Sequence, residues 1–240
     1  MKETYPLLNE DFGEIQVLED KEIASIIRKG FIAKVYSLLF IQLFITFSFV
    51  FLSMEIKSLQ LFLARHFWIY IINVIIPFII LIYFAVDPKK AKQVPINYIL
   101  LFIFTLSQGY TVARFCIPFQ KQSVFFCLIL TLVAVLALSI YAYKTKNDFT
   151  LLGGTLFNIL IILFVASILN LFFKIKMLNF FLCSISIILF SVYLIYDTQL
   201  ILGKKENKLS EDDYILAVLN LYVDIITLFI EILNLFGNRK

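Results

Sequence analysis

Leu189-Phe-Ser-Val-Tyr-Leu-Ile-Tyr-Asp197-Thr-Gln199 and Tyr214-Ile-Leu-Ala-Val-Leu-Asn220-Leu-Tyr-Val-Asp224-Ile-Ile-Thr227-Leu-Phe-Ile-Glu231-Ile-Leu-Asn234-Leu-Phe236 are two segments apolar enough to enter a bilayer, and each carries a carboxylate in its interior. A charge at the bilayer centre costs at least ~2.5–3.5 kcal/mol, so such acids face a protein interior or water and mark ion or proton pathways. In the second segment Asp213, Asn220, Asp224, Thr227, Glu231 and Asn234 follow one another at intervals of 7, 4, 3, 4 and 3, the spacing of a single helix face. That stripe cannot face lipid, so the last helix is expected to be enclosed by other helices or to line water. The other reading is a helix lying in the interface with the stripe as its solvated face.

Working outward, the 240 residues are 61% hydrophobic and only 16% charged, with a mean hydropathy of +0.93. That is more apolar surface than a soluble core hides, and the chain reads as an all-α polytopic membrane protein. Seven apolar runs of roughly 20 residues or more are each long enough to cross a ~30 Å hydrocarbon core. They are Phe31–Met54, Phe67–Val86, Val94–Ile117, Val124–Tyr143, Phe149–Phe173, Met177–Leu202 and Tyr214–Phe236. Asp87-Pro88 ends the second run, Pro95 opens the third, Asp148 caps the fifth, and Ser210-Glu211-Asp212-Asp213 reads as a capping box before the seventh. The predicted architecture is a seven-helix bundle with the C-terminal helix enclosed by the other six. Six spans with a re-entrant last segment is the alternative.

Residues 1–30 form an acidic tail expected to be unstructured, and residues 31–240 form the membrane domain. Glu3 with Leu7-Leu8 has the spacing of an acidic dileucine sorting signal. No cleavable leader is evident, so the first span is expected to serve as its own signal. About twelve Lys and Arg flank the spans on the side of the tail and about eight on the other, which predicts a cytoplasmic N-terminus. Cys116, Cys127 and Cys183 lack metal or disulfide spacing, and His66 stands alone. The net charge of +4 is spread over short loops and argues topology, not nucleic-acid binding.

Both aspartates are reached from the loop between the sixth and seventh runs. Asp197 lies seven residues before Lys204, ~10 Å in, and Asp224 eleven after Asp213, ~16 Å in, so they can meet. Two carboxylates in a poorly solvated site cannot both ionise cheaply. The pair is therefore either a pH-sensitive cation site or gate, or a set of polar contacts that only specifies packing. No cofactor is expected.

Ile195-Tyr-Asp-Thr-Gln199 and Glu211-Asp-Asp-Tyr-Ile-Leu-Ala-Val-Leu-Asn-Leu-Tyr-Val-Asp-Ile-Ile-Thr-Leu-Phe229 also resemble the signature of the Bax-inhibitor-motif family, in its Lifeguard and Golgi anti-apoptotic branch. The resemblance extends to Arg28-Lys-Gly-Phe-Ile-Ala-Lys-Val-Tyr-Ser37, Pro95-Ile-Asn97 with Phe104-Thr-Leu106, and Lys146-Asn-Asp-Phe149. It implies a protein of an intracellular membrane, Golgi or endoplasmic reticulum, with the endolysosomal membrane as alternative. It implies that calcium leaks through the protein from a store, that cell death is moderated, and that Asp197 and Asp224 form a proton-sensitive switch and transient calcium ligands. A non-transporting scaffold that binds membrane proteins of death signalling is the alternative.

From bacterial relatives the resemblance implies a latch on the first acid by a basic residue at the near end of the second helix, where this chain offers Lys89 and Lys90 instead of Arg. Gln108 stands where relatives carry Glu, and with Asn220, Thr227 and Asp213 it is expected to line the path. Arg114 and Glu231 depart from the pattern at similar depth, which suggests either an ion pair at the far mouth or an Arg114 that snorkels to the interface while Glu231 reaches water on that side. An aspartyl-protease reading fails, because Asp224 follows Leu-Tyr-Val where that chemistry needs Gly-x-Gly-Asp, so the chain is not expected to be an enzyme.

Overall fold

The computed structural model describes residues 6–240, with side chains from residue 19 onward. It is all helical: α1 Pro6–Glu55, α2 Lys57–Arg65, α3 Phe67–Val86, α4 Ile96–Cys116, α5 Lys121–Lys144, α6 Gly153–Phe173, α7 Lys176–Leu202 and α8 Tyr214–Phe236. All but α2 are long and apolar enough to span, α1 over Glu19–Glu55. The chain is an integral, multi-pass membrane protein.

The expected spans over 67–86 and 214–236 coincide with α3 and α8. Helix α1 runs back through much of the stretch expected to be unstructured, an extension that adds one backbone hydrogen bond per residue to a helix already nucleated by the span. Residues 1–5 and the side chains of Leu7-Leu8 lie outside the described residues. Helix α3 continues through Pro77. The short α2 lies between the first two expected spans, and its Leu63 is fully buried.

The loops sort onto two faces. On the near face, Lys205 of the α7–α8 loop donates to the carbonyls of Thr145 (3.1 Å) and Lys146 (2.8 Å), and Asn207 donates to Thr150, joining that loop to the α5–α6 loop. On the far face the C-terminal tail folds against the α4–α5 link: Gln120 N–H donates to the Asn238 carbonyl and Lys240 N–H to the Pro118 carbonyl, both 2.8 Å. Helix α8 therefore starts on the near face and ends on the far one. It spans, and the re-entrant alternative is overturned.

Helix α8 is 67% buried, against 50% for α4 and 17–33% for the other spans. It packs on α1, α4, α5 and α7, while α3 attaches through α4 and α6 through α7. Lipid is as apolar as Leu, so this association rests on close packing and inter-helix hydrogen bonds. Phe229 meets Phe47 edge-on at 5.5 Å and Tyr222 meets Phe104 at 5.8 Å. The Tyr222 hydroxyl bonds Thr46 Oγ1 at 2.7 Å, and Gln42 donates to Thr105 Oγ1 at 2.8 Å.

Helices α6 and α7 join through Leu156, Leu163, Leu182 and Leu189. A Cβ on Gly153, at the near end of α6, would sit 2.7 Å from the Tyr196 hydroxyl. Gly153→Ala is expected to displace the Tyr196 ring, one residue from Asp197, and to cost about 1–2 kcal/mol of unfolding free energy in detergent; a change under about 0.3 kcal/mol contradicts this.

Candidate functional site

Asp197 on α7 and Asp224 on α8 are each 4% exposed. Their carboxyl groups meet side by side, within hydrogen-bonding reach of one another, with Asn220 alongside Asp197 and Tyr193 close to both. One oxygen of Asp224, Oδ2, is buried with no hydrogen-bond partner among the described residues. Among those residues no group of three or more His, Cys, Asp or Glu gathers. The pair offers hard oxygen atoms in a number far below the six to eight of a resident calcium site.

The rest of the Asp197-Thr-Gln199 motif is structural. Buried Thr198 faces Tyr36 of α1. Buried Gln199 accepts from Phe149 N–H (2.8 Å) and donates to the Asn147 carbonyl (3.0 Å), which fastens the α5–α6 loop to α7. Asn97 of Pro95-Ile-Asn97 donates to the Ala91 carbonyl (2.9 Å) and the Tyr214 hydroxyl (3.2 Å), tying α4 to the start of α8.

The polar stripe lies on the less covered side of α8. Asn220 is exposed, and Thr227, Glu231 and Asn234 are half-buried, whereas Ile215, Val218, Leu219, Tyr222 and Phe229 opposite are closed off. At its far end Glu231 and Asn234 line a 190 Å³ cavity with Ser167, Asn170, Asn179 and Ser186 of α6 and α7.

Several expected roles are corrected. Arg114 and Glu231 do not pair: Glu231 turns towards Cys183 on α7, while Arg114 lies over Phe67 and Tyr70 on α3. Arg114 turns to α3 and Glu231 to α7, so the two side chains meet different helices. Lys89 and Lys90 do not latch Asp197. Asp87 caps the turn that begins at Pro88 by accepting from Lys89 N–H, and Lys90 rests 4.2 Å over the Tyr83 ring. Helix α3 packs on α4, which keeps this end from α7. Asp213 is the near-face partner of Lys92, at 3.0 Å, instead of a path residue, and no capping box forms. Gln108 is half-buried and makes no hydrogen bond to either acid.

The near face is instead held by Arg28, the first residue of the Arg28–Ser37 stretch. Its guanidinium donates to the carbonyls of Leu200 and Leu209, both 2.6 Å, and to Glu211 at 3.0 Å. It can do so because Gly203 ends α7 in the left-handed region (φ 65), where a Cβ would lie 2.7 Å from guanidinium atoms. A glycine directly after an apolar helical run was the available signal.

Two acids on this face have depressed pKa values. The Thr150 hydroxyl, aided by Glu206 N–H, holds Asp148 below its ordinary 3.8, and its own backbone N–H, then Arg28, holds Glu211 below 4.5. A depressed folded pKa gives stability that is complete above the unfolded value and lost as pH falls through the folded one. The destabilisation caused by Asp148→Asn or Glu211→Gln is therefore expected to be constant from about pH 8 to 5.5 and to shrink below about pH 4. A difference that changes near pH 6 in thermal unfolding contradicts the assignment. Any functional response to pH near neutrality must arise elsewhere.

A multi-pass helical bundle with one enclosed helix and a buried carboxylate pair defines the class, and the sequence profile described as "Inhibitor of apoptosis-promoting Bax1" matches residues 28–240. The chain belongs to this Bax-inhibitor family. It is 30% identical over 218 residues to human protein lifeguard 3, covering 89% of this chain and 70% of the relative, and 30% identical over 217 residues to the mouse protein, with the same coverage. It is 37% identical over 158 residues to an uncharacterized protein of Campylobacter jejuni, covering 63% of this chain and 65% of that one.

Proposed function

We propose that this chain is a calcium leak channel of an intracellular membrane, Golgi or endoplasmic reticulum, and that it lowers store calcium and so moderates cell death. The observation that carries the reading is the Asp197–Asp224 pair, buried between α7 and α8 inside the bundle, with Asp224 Oδ2 unpartnered among the described residues. A carboxylate that only specified packing would have its oxygens satisfied by neighbours. The stripe continuing through Thr227 to the Glu231 cavity supports a route for a hydrated cation, since such a face is stable in a membrane only against protein or water. The near face, with its Lys-bearing loops, is the cytoplasmic one in this reading, and the family description and the relatives' names support the link to cell death.

The test is calcium efflux from liposomes containing the purified protein. Efflux several-fold above that of empty vesicles is expected. Efflux equal to that of empty vesicles removes the channel reading and leaves a scaffold that acts through membrane-protein contacts.

A further inference from the structure

Arg114 stands two residues from the end of α4, on the far face of the bundle, without a carboxylate partner among the described residues. Among the described residues the ion pairs are Arg28–Glu211, Lys92–Asp213 and Lys121–Glu55, and the buried Nη1 of Arg114 has no hydrogen-bond partner. Its guanidinium is fixed over the rings of Tyr70, at 5.0 Å, and Phe67, at 6.0 Å. A stacked guanidinium of this kind keeps its in-plane N–H donors free, and a desolvated cation without an anion is costly.

The C-terminal tail brings a second arginine to the same place. The backbone bonds from Gln120 and Lys240, and one from Asn238 N–H to Ser123 Oγ at 3.2 Å, pin the tail to the α4–α5 link, and Arg239 lies over Phe119 at 5.5 Å. Arg114 and Arg239 thus flank one 380 Å³ pocket, walled by Phe67, Tyr70, Pro118 and Phe119 and containing no acid. On the other side of Arg239 a second pocket holds Lys174 and Lys176, so the surrounding field is positive.

We infer that this pocket binds the phosphate of an anionic phospholipid, with Arg114 and Arg239 as its two forks. Paired guanidinium groups match phosphate oxygens bidentately. The ligand is a lipid and not a soluble phosphate because the pocket lies at the far ends of the candidate spans α3 and α4, beside Phe67 and Trp68, 56% and 78% exposed. There acyl chains run along α3, and aromatic residues mark the interface. Two arginines with no acid favour a net-negative headgroup over a zwitterionic one.

Native mass spectrometry of the purified protein, titrated with phosphatidylglycerol and with phosphatidylcholine of the same chains, tests this. Phosphatidylglycerol is expected to bind first and more tightly. Arg114→Leu and Arg239→Gln are each expected to weaken it about tenfold, as loss of a charge-assisted contact does, with Arg114→Lys intermediate. Arg239→Gln keeps the tail's backbone bonds, so it reports even if Arg114→Leu folds poorly. Equal binding of the two lipids, or wild-type binding by Arg239→Gln, overturns the site. Displacement of phosphatidylglycerol by millimolar inorganic phosphate also overturns it, by showing a soluble-anion pocket.

Discussion

Arg28→Gln is expected to lower the unfolding free energy of the detergent-solubilised protein by about 2–4 kcal/mol and to raise calcium leak. The Arg28 side chain is only 12% exposed, while its partner Glu211 is 40% exposed, so the ion pair itself contributes little. The larger effect comes from the two main-chain carbonyls, of Leu200 and Leu209, that lose a charged donor in a partly buried site. Leu200 lies in the last turn of α7 and Leu209 in the loop that leads to α8, so loosening these contacts frees the near ends of α7 and α8 together. Gly203→Ala should act through the same contact, since alanine at φ 65 is strained and its methyl would displace the guanidinium. The double substitution should cost less than the sum of the two, because they remove one interaction. Additive costs, or a change below about 0.5 kcal/mol for Arg28→Gln, would show that the clasp does not hold this face.

Asp224→Asn carries the other large effect: calcium efflux should fall at least about tenfold, with folding intact. A carboxylate ~4 Å from a cation contributes on the order of 4 kcal/mol per unit charge at an effective dielectric of 20. Each 1.4 kcal/mol lost from cation entry is about tenfold in rate. Asparagine also removes a like-charge contact with Asp197, so thermal stability should be unchanged or higher. Asp197→Asn, on the near side of the pair, should reduce efflux less. An Asp224→Asn protein that unfolds readily would instead show that the carboxylate is a packing element.

Spans and their order were legible in the sequence because run length and breakers act locally: Asp87-Pro88 ends α3, and the run from Tyr214 to Phe236, apolar on every face but its polar stripe, fixes α8. The meeting of Asp197 and Asp224 was legible too, since both depths could be counted from one loop. Which way a residue faces around its helix was not. Arg114 and Glu231 share a depth yet point to different neighbours, and Lys89 and Lys90 are turned away by the short 3-10 turn Pro88–Lys92. The Arg28 clasp joins residues 172 to 183 apart in sequence, a contact that no local pattern announces. That α8 spans was settled by tertiary contacts of Asn238 and Lys240 with the α4–α5 link.

The most direct measurement is the pH profile of calcium efflux from proteoliposomes, between about pH 5.5 and 8, for the wild type, Asp197→Asn and Asp224→Asn. Across this range the near-face acids Asp148 and Glu211 keep their charge, so they do not contribute to the profile, and the two Asn variants report on the carboxylate pair itself. Efflux from the wild type is predicted to change with pH and efflux from both variants to be flat. If the two variants instead titrate like the wild type, Asp197 and Asp224 are not the gate.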